Sequence, residues 1–104
     1  MMYKLSYFVP SDAKELTKAA LFEVGAGCFE NYVKCSWETQ GLGQFMPVKS
    51  AKPAIGSLDT LERVEEYKVE MICSDRVIEE AIRALKDSHP YEEVAYEVIR
   101  LEEF

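Results

Sequence analysis

Residues 63–101 read RVEEYKVEMICSDRVIEEAIRALKDSHPYEEVAYEVIRL, and the change of period inside this stretch decides the fold. From Arg63 to Cys73, the residues Tyr67, Val69, Met71 and Cys73 alternate with Glu66, Lys68 and Glu70. That period of two marks a strand with one buried face. At Ser74 or Asp75 the pattern turns helical, with Ile78, Ala81, Ile82 and Leu85 falling at i, i+3, i+4 and i+7. Pro90 closes that helix, and residues 94–101 return to a strand.

The N-terminal half repeats the plan. Met2 to Val9 alternates Tyr3, Leu5, Tyr7 and Val9 against Lys4, Ser6 and Phe8, and Pro10-Ser11-Asp12 stops the strand. Asp12 with Glu15 three residues later forms a capping-box pattern. Ala13, Leu16, Ala20 and Val24 give the first helix its apolar stripe, and Gly25-Ala26-Gly27 ends it. Because those glycines follow a helix rather than precede one, they do not form a phosphate loop. Tyr32 to Thr39 is expected as the second strand, with Val33, Cys35 and Trp37 on one face and Lys34, Ser36 and Glu38 on the other.

Two β-α-β halves predict a single α+β domain over residues 1–104. It is a ferredoxin-like α/β sandwich of order βαββαβ, an antiparallel four-stranded sheet with both helices on one face. The expected core face carries Leu5, Tyr7, Val33, Trp37, Val69, Met71, Tyr96 and Val98. The opposite face mixes Lys4, Lys34, Lys68, Glu38, Glu66, Glu70 and Glu97 with Phe8, Tyr32, Ile99 and Leu101. A face meant only for water seldom gathers such apolar residues, which predicts self-association as a dimer or trimer. Residues 40–62, between the second and third strands, form a loop too long for a mere connection, with apolar Phe45, Met46, Val48 and Ile55 and with Gln44 to Lys49 as a candidate extension of the second strand or a small hairpin.

Composition narrows the function classes. The chain has 104 residues, 48% of them hydrophobic and 30% charged, the profile of a soluble domain with one core. No run approaches the ~20 apolar residues of a membrane helix, and Met1 to Val9 lacks signal-peptide architecture, so a cytoplasmic location is expected. Residues 1–52 carry a net +1 and residues 53–104 a net −8, a balance that repels nucleic acid. Cys28, Cys35 and Cys73 are odd in number and widely spaced, as expected of reduced thiols.

Two stretches gather the rare residues: 35–45 (CSWETQGLGQF), with the only Trp, and 89–96 (HPYEEVAY), with the only His. Gly41 and Gly43 let backbone N–H groups approach a ligand, and Trp37 and Phe45 offer rings for a flat one, although a tight turn between core aromatics explains the same residues. His89 with Glu92 or Glu93 is an incomplete metal shell unless neighbouring subunits complete it. The plainer reading has His89-Pro90 capping the second helix with the imidazole bonded to backbone. Cys35 has no base beside it except His89, and a strand thiol between Val33 and Trp37 reads as inert core.

In combination, several of these residues resemble a known group. They are Gly25-Ala26-Gly27 with Tyr32, Cys35-Ser36-Trp37 with Thr39, Gly41, Gly43 and Phe45, Pro53 with Ile55-Gly56, and His89-Pro90-Tyr91-Glu92-Glu93 with Ala95-Tyr96. The match, over nearly the whole chain, is to the inserted domain of bacterial Nif-three-like proteins. The resemblance implies a fold like CutA and PII signalling proteins, which are typically trimeric. It makes residues 40–62 the counterpart of the PII signalling loop. The parent proteins bind two divalent metals through His and acidic residues in flanking lobes. This chain has His89 alone, so metal-dependent hydrolysis does not carry over.

The sequence therefore predicts a non-catalytic, cofactor-free regulatory module that self-associates and binds a small ligand through Trp37, Gly41, Gly43, Gln44, Phe45, His89, Tyr91 and Glu92. The alternatives are a divalent-metal-binding protein with His89 and Glu92 contributed by each subunit, and a docking partner of a larger protein.

Overall fold

A computed structural model describes residues 1–104. Strand β1 spans Met2–Pro10, helix α1 Lys14–Glu23, β2 Trp37–Phe45, β3 Glu62–Ser74, α2 Ile78–Ser88 and β4 Tyr96–Leu101. The sheet order is β2-β3-β1-β4 and every neighbouring pair is antiparallel, the ferredoxin-like arrangement expected from the sequence.

One core holds the layers together. Leu5, Tyr7 and Val9 of β1 and Val69, Met71 and Cys73 of β3 meet Leu21 of α1 and Ala81 and Leu85 of α2. Burying a Leu or Val side chain of this kind contributes about 1.5–3 kcal/mol. Tyr96 packs against the edge of this cluster, while Val98, opposite Leu5 on the same face, is left partly open.

The N-terminal helix departs from expectation in its stripe and its cap. Ala13, Thr17 and Leu21 are buried, while Leu16 points to solvent. A threonine sits in the stripe because its hydroxyl bonds the Tyr7 phenol at 2.8 Å and donates to the Lys14 carbonyl at 2.9 Å. Burial nonetheless pushes the Tyr7 phenol up to about 12. Asp12 does not cap; the chain enters α1 through a 3₁₀ turn, Ser11–Ala13, with no side-chain cap. Likewise α2 begins at Ile78 without a side-chain cap, and Asp75 lies 3.8 Å from the terminal amine instead.

The second strand is displaced along the chain. Residues expected to start it form a tight turn in which Phe29 and Tyr32 exchange backbone hydrogen bonds of 2.9 and 2.8 Å. Lys34 adopts φ 58°, which no strand tolerates. Cys35, expected in a core strand, is half-buried before β2, its N–H donating to the Gly27 carbonyl at 2.8 Å. Pairing with β3 then places Trp37 opposite Glu70 and Glu38 opposite Val69. Trp37 and Val33 are therefore exposed, and Glu38 faces the helices, where Lys14 and Lys18 bond it at 2.6 and 3.1 Å. Those two hydrogen bonds hold the Glu38 carboxyl below its ordinary value.

The strand also runs on to Phe45, through residues expected in the loop. Glu62 to Glu65 of β3 pair only with β2, so the β2–β3 hairpin projects past the end of β1 and carries the loop 46–61 beyond the packed layers. The sheet face away from the helices presents Trp37, Phe8, Ile72 and Ile99, with Lys4 bonded to Glu70 at 2.9 Å within the chain.

Candidate functional site

The projecting hairpin and the corner after α2 wall a cleft of ≈ 520 Å³. Gly43, Gln44 and Phe45 enter from β2, Met46, Val48 and Ile55 from the loop, Phe8 and Glu66 from the sheet, and Tyr91, Glu92, Glu93 and Ala95 from the corner.

His89 builds the corner from behind. It ends α2 with extended backbone, φ −82° and ψ 139°, as a residue before proline prefers. The residue is 7% exposed. Nδ1 accepts the Tyr91 N–H at 3.1 Å, so Nε2 carries the proton and donates to the Phe8 carbonyl at 2.7 Å. Burial lowers the imidazole pKa, and the neutral ring uses both nitrogens inside the chain. No group of three His, Cys, Asp or Glu side chains is placed to hold a metal ion.

Fixed by that bond, Tyr91 donates its hydroxyl to Glu66 at 2.8 Å and tilts toward Phe45, the ring centroids 6.4 Å apart. Burial first, and then the Glu66 carboxylate, push the Tyr91 phenol well above its ordinary value. Glu66 reaches this position because β2 has no side chain at Gly43: a Cβ there would overlap its carboxylate. Glu92 accepts the Lys52 backbone N–H at 2.8 Å, tying the loop to the corner across 40 residues.

Of the residues singled out in the sequence, Gly43, Gln44, Phe45, Tyr91 and Glu92 meet in this cleft, and His89 supports it without lining it. Gly41 sits opposite Glu66 with open space around it. Trp37 stands at the far end of β2, about 26 Å from Phe45 at strand rise, so the two rings do not flank one ligand. It is 68% exposed, donates to the Thr39 hydroxyl at 3.1 Å, and borders a second, shallower hollow with Phe29, Cys35 and Lys4. Phe8 and Glu66 line the cleft without having been expected there, and Glu93, weighed in the sequence as a metal partner of His89, lines it as well. The signal for Glu66 was its place on the polar face of β3, opposite Gly41 and diagonal to Gly43 of β2.

The thiols are all free: Cys28 exposed, Cys35 half-buried and Cys73 buried. Burial pushes the Cys73 thiol up to about 11, which keeps it protonated.

No protein-family model matches the chain. Among curated proteins, one named GTP cyclohydrolase 1 type 2 homolog from Mycobacterium tuberculosis is 44% identical over 94 residues, 90% of this chain and 25% of the relative. Its namesake from Bacillus subtilis is 40% identical over 100 residues, 96% of this chain and 27% of the relative. The chain thus spans about a quarter of the length of the curated relatives it matches. Among solved structures, a Bacillus cereus protein related to NIF3 superposes with a TM-score of 0.85 at 37% identity, covering 98% of this chain and 26% of that one. The divalent cation tolerance protein CutA of Archaeoglobus fulgidus superposes with a TM-score of 0.71 at 17% identity, covering 100% of this chain and 87% of that one, a likeness of fold alone. The resemblance to a domain of Nif-three-like proteins therefore holds along nearly the whole chain. No helix is long and apolar enough to cross a membrane.

Proposed function

We propose that this Nif-three-like domain is a non-catalytic, self-associating module whose cleft binds a small ligand and reports it through the position of the 46–61 loop. The observation that carries the reading is the tie between the cleft's two walls: Glu92 on the corner holds the Lys52 N–H on the loop, so an occupant between them bears on both. Its volume falls in the range of about 300–1,000 Å³ usual for small-molecule sites. A regulatory rather than catalytic role fits the side chains. The nearest imidazole is buried behind the wall, and the Tyr91 phenol is held protonated. Gly43, Gln44, Phe45, Tyr91 and Glu92 are the proposed ligand contacts, with His89 as their support.

In the same proposal, self-association uses the part of the sheet face bearing Trp37 and Ile99, whose exposed apolar surface favours a second copy. The alternative divalent-metal reading has less support, because His89 spends both ring nitrogens within the chain.

A thermal-shift screen of the tag-free protein against nucleotides, amines and divalent metals tests the proposal. A ligand selective for the folded state raises Tm with concentration. Ala95→Trp, which fills the cleft, should remove that rise, and Trp37→Ala should leave it. A rise that survives Ala95→Trp would place binding elsewhere, and a light-scattering mass of one chain at micromolar concentration would remove self-association.

A further inference from the structure

We propose that the cleft selects an organic cation, an ammonium or guanidinium on an apolar body, and rejects phosphate-bearing ligands. The inference rests on the small-ligand reading above and gives it a ligand class. Phe8, Phe45, Met46, Val48 and Ile55 supply apolar walls, and the charged groups among the lining residues are three carboxylates, Glu66, Glu92 and Glu93. No Lys, Arg or His side chain lines the cleft.

Elsewhere the chain pairs carboxylates that lie against its packed surface: Glu38 with Lys14 and Lys18, Glu70 with Lys4. The three in the cleft take part in no ion pair. Glu66 accepts only a neutral phenol, and Glu92 only a backbone N–H. Both bonds leave the full negative charge in place. The Lys68 ammonium, 6.0 Å from the centroid of the Phe8 ring, does not line the cleft, and neither Lys49 nor Lys52 of the loop makes an ion pair with its carboxylates.

A concave apolar site lined by one sign of charge concentrates that field on its occupant. The Phe45 and Tyr91 rings add electron-rich faces that attract a cation and not an anion. The corner also follows directly on the C-terminal end of α2, the negative pole of that helix. A phosphate would meet three carboxylates with no basic group and no helix N-terminus to offset them.

Calorimetric titration with four probes tests this: phenethylammonium, the neutral 2-phenylethanol, phenylacetate and AMP. The ammonium should bind more tightly than the alcohol by roughly tenfold, and phenylacetate and AMP more weakly than either. Its advantage should shrink as ionic strength rises. Glu66→Gln, which still accepts the Tyr91 hydroxyl, and Glu93→Gln should each weaken the ammonium several-fold and leave the alcohol unchanged. Glu79→Gln, on exposed α2, should change neither, which separates the cleft from the general acidity of the chain. If the alcohol binds as tightly as the ammonium, or AMP binds more tightly, the charge selection is overturned and the cleft stands. If none of the four binds, the cleft reading falls with it.

Discussion

β2 and β3 are neighbours in one sheet, yet they are held by different forces. Along β3, Val69, Met71 and Cys73 are buried beneath the helices while the residues between them face away. Along β2 no residue is buried at all. A one-residue slip of β3 would turn its whole apolar set to water, so side-chain burial fixes its register. A slip of β2 would change little burial, and its register is set by backbone pairing to β3 and by the left-handed Lys34 before it. Alternation is informative only where one face is closed off from water.

The largest effect is expected on the closed side. Leu85→Ala, in the core of α2, should cost about 2–5 kcal/mol by chemical denaturation. A loss below 1 kcal/mol, on the order of a surface change, would mean the helix layer does not carry the fold. Next comes Gly27→Ala. Gly27 sits at φ 77°, and a Cβ there would meet the Cys35 carbonyl oxygen at 2.8 Å. The substitution should cost more than about 1 kcal/mol and loosen the segment leading into β2. An unchanged unfolding midpoint would show that the glycine is dispensable.

Acid acts on the closed side through the buried imidazole. Because burial lowers the His89 pKa in the folded chain, the unfolded chain takes up its proton first as pH falls. Stability should therefore be full above 6.5, the ordinary histidine value, and decline as pH drops through it toward the lower folded value. Urea midpoints in wild type and His89→Gln compare the slopes; an equally steep slope in the variant would assign the effect to another group.

Smaller still, Trp37→Ala on the open face should shift the stability of a single chain by no more than about 0.5 kcal/mol. A larger loss at concentrations where the chain is monomeric would erase the contrast between the two strands. Smallest of all, Glu38→Gln should lower Tm slightly at low salt, and that difference should vanish at high salt. A deficit that persists in salt would make the Lys14–Glu38–Lys18 cluster a structural element and not a solvated ion pair.

These contrasts also mark how far the sequence was legible. Residues 63–101 were read nearly to their bounds because a strand and an amphipathic helix each bury one side there. The ends of β4 and α2 shifted by a few residues, as element ends do. The α1 stripe was misplaced by a polar exception: Thr17 looks like a surface residue until Tyr7 supplies its partner from another element. β2 was misread because Val33, Cys35 and Trp37 alternate without any buried side to give the alternation meaning.

The site was legible in part for the same reason. The 89–92 segment and Gly43 to Phe45 announced themselves by composition, and the bonding of the His89 imidazole to backbone is the plainer reading made from the sequence. Phe8 and Glu66 belong to the cleft only because β1 and β3 pair side by side, which no local pattern states.

The position of the single tryptophan has an optical consequence. Trp37 is the chain's one indole, and it stands in water on the face away from the helices, far from the cleft. A partner that covers the Trp37 end of that face excludes solvent from the ring and moves its emission to shorter wavelength. Filling of the cleft leaves the ring where it is. The chain thus carries an unlabelled fluorescence reporter at one end of the sheet that is silent to the cleft at the other, and a dilution series read in the ultraviolet would follow the proposed assembly separately from the proposed ligand binding.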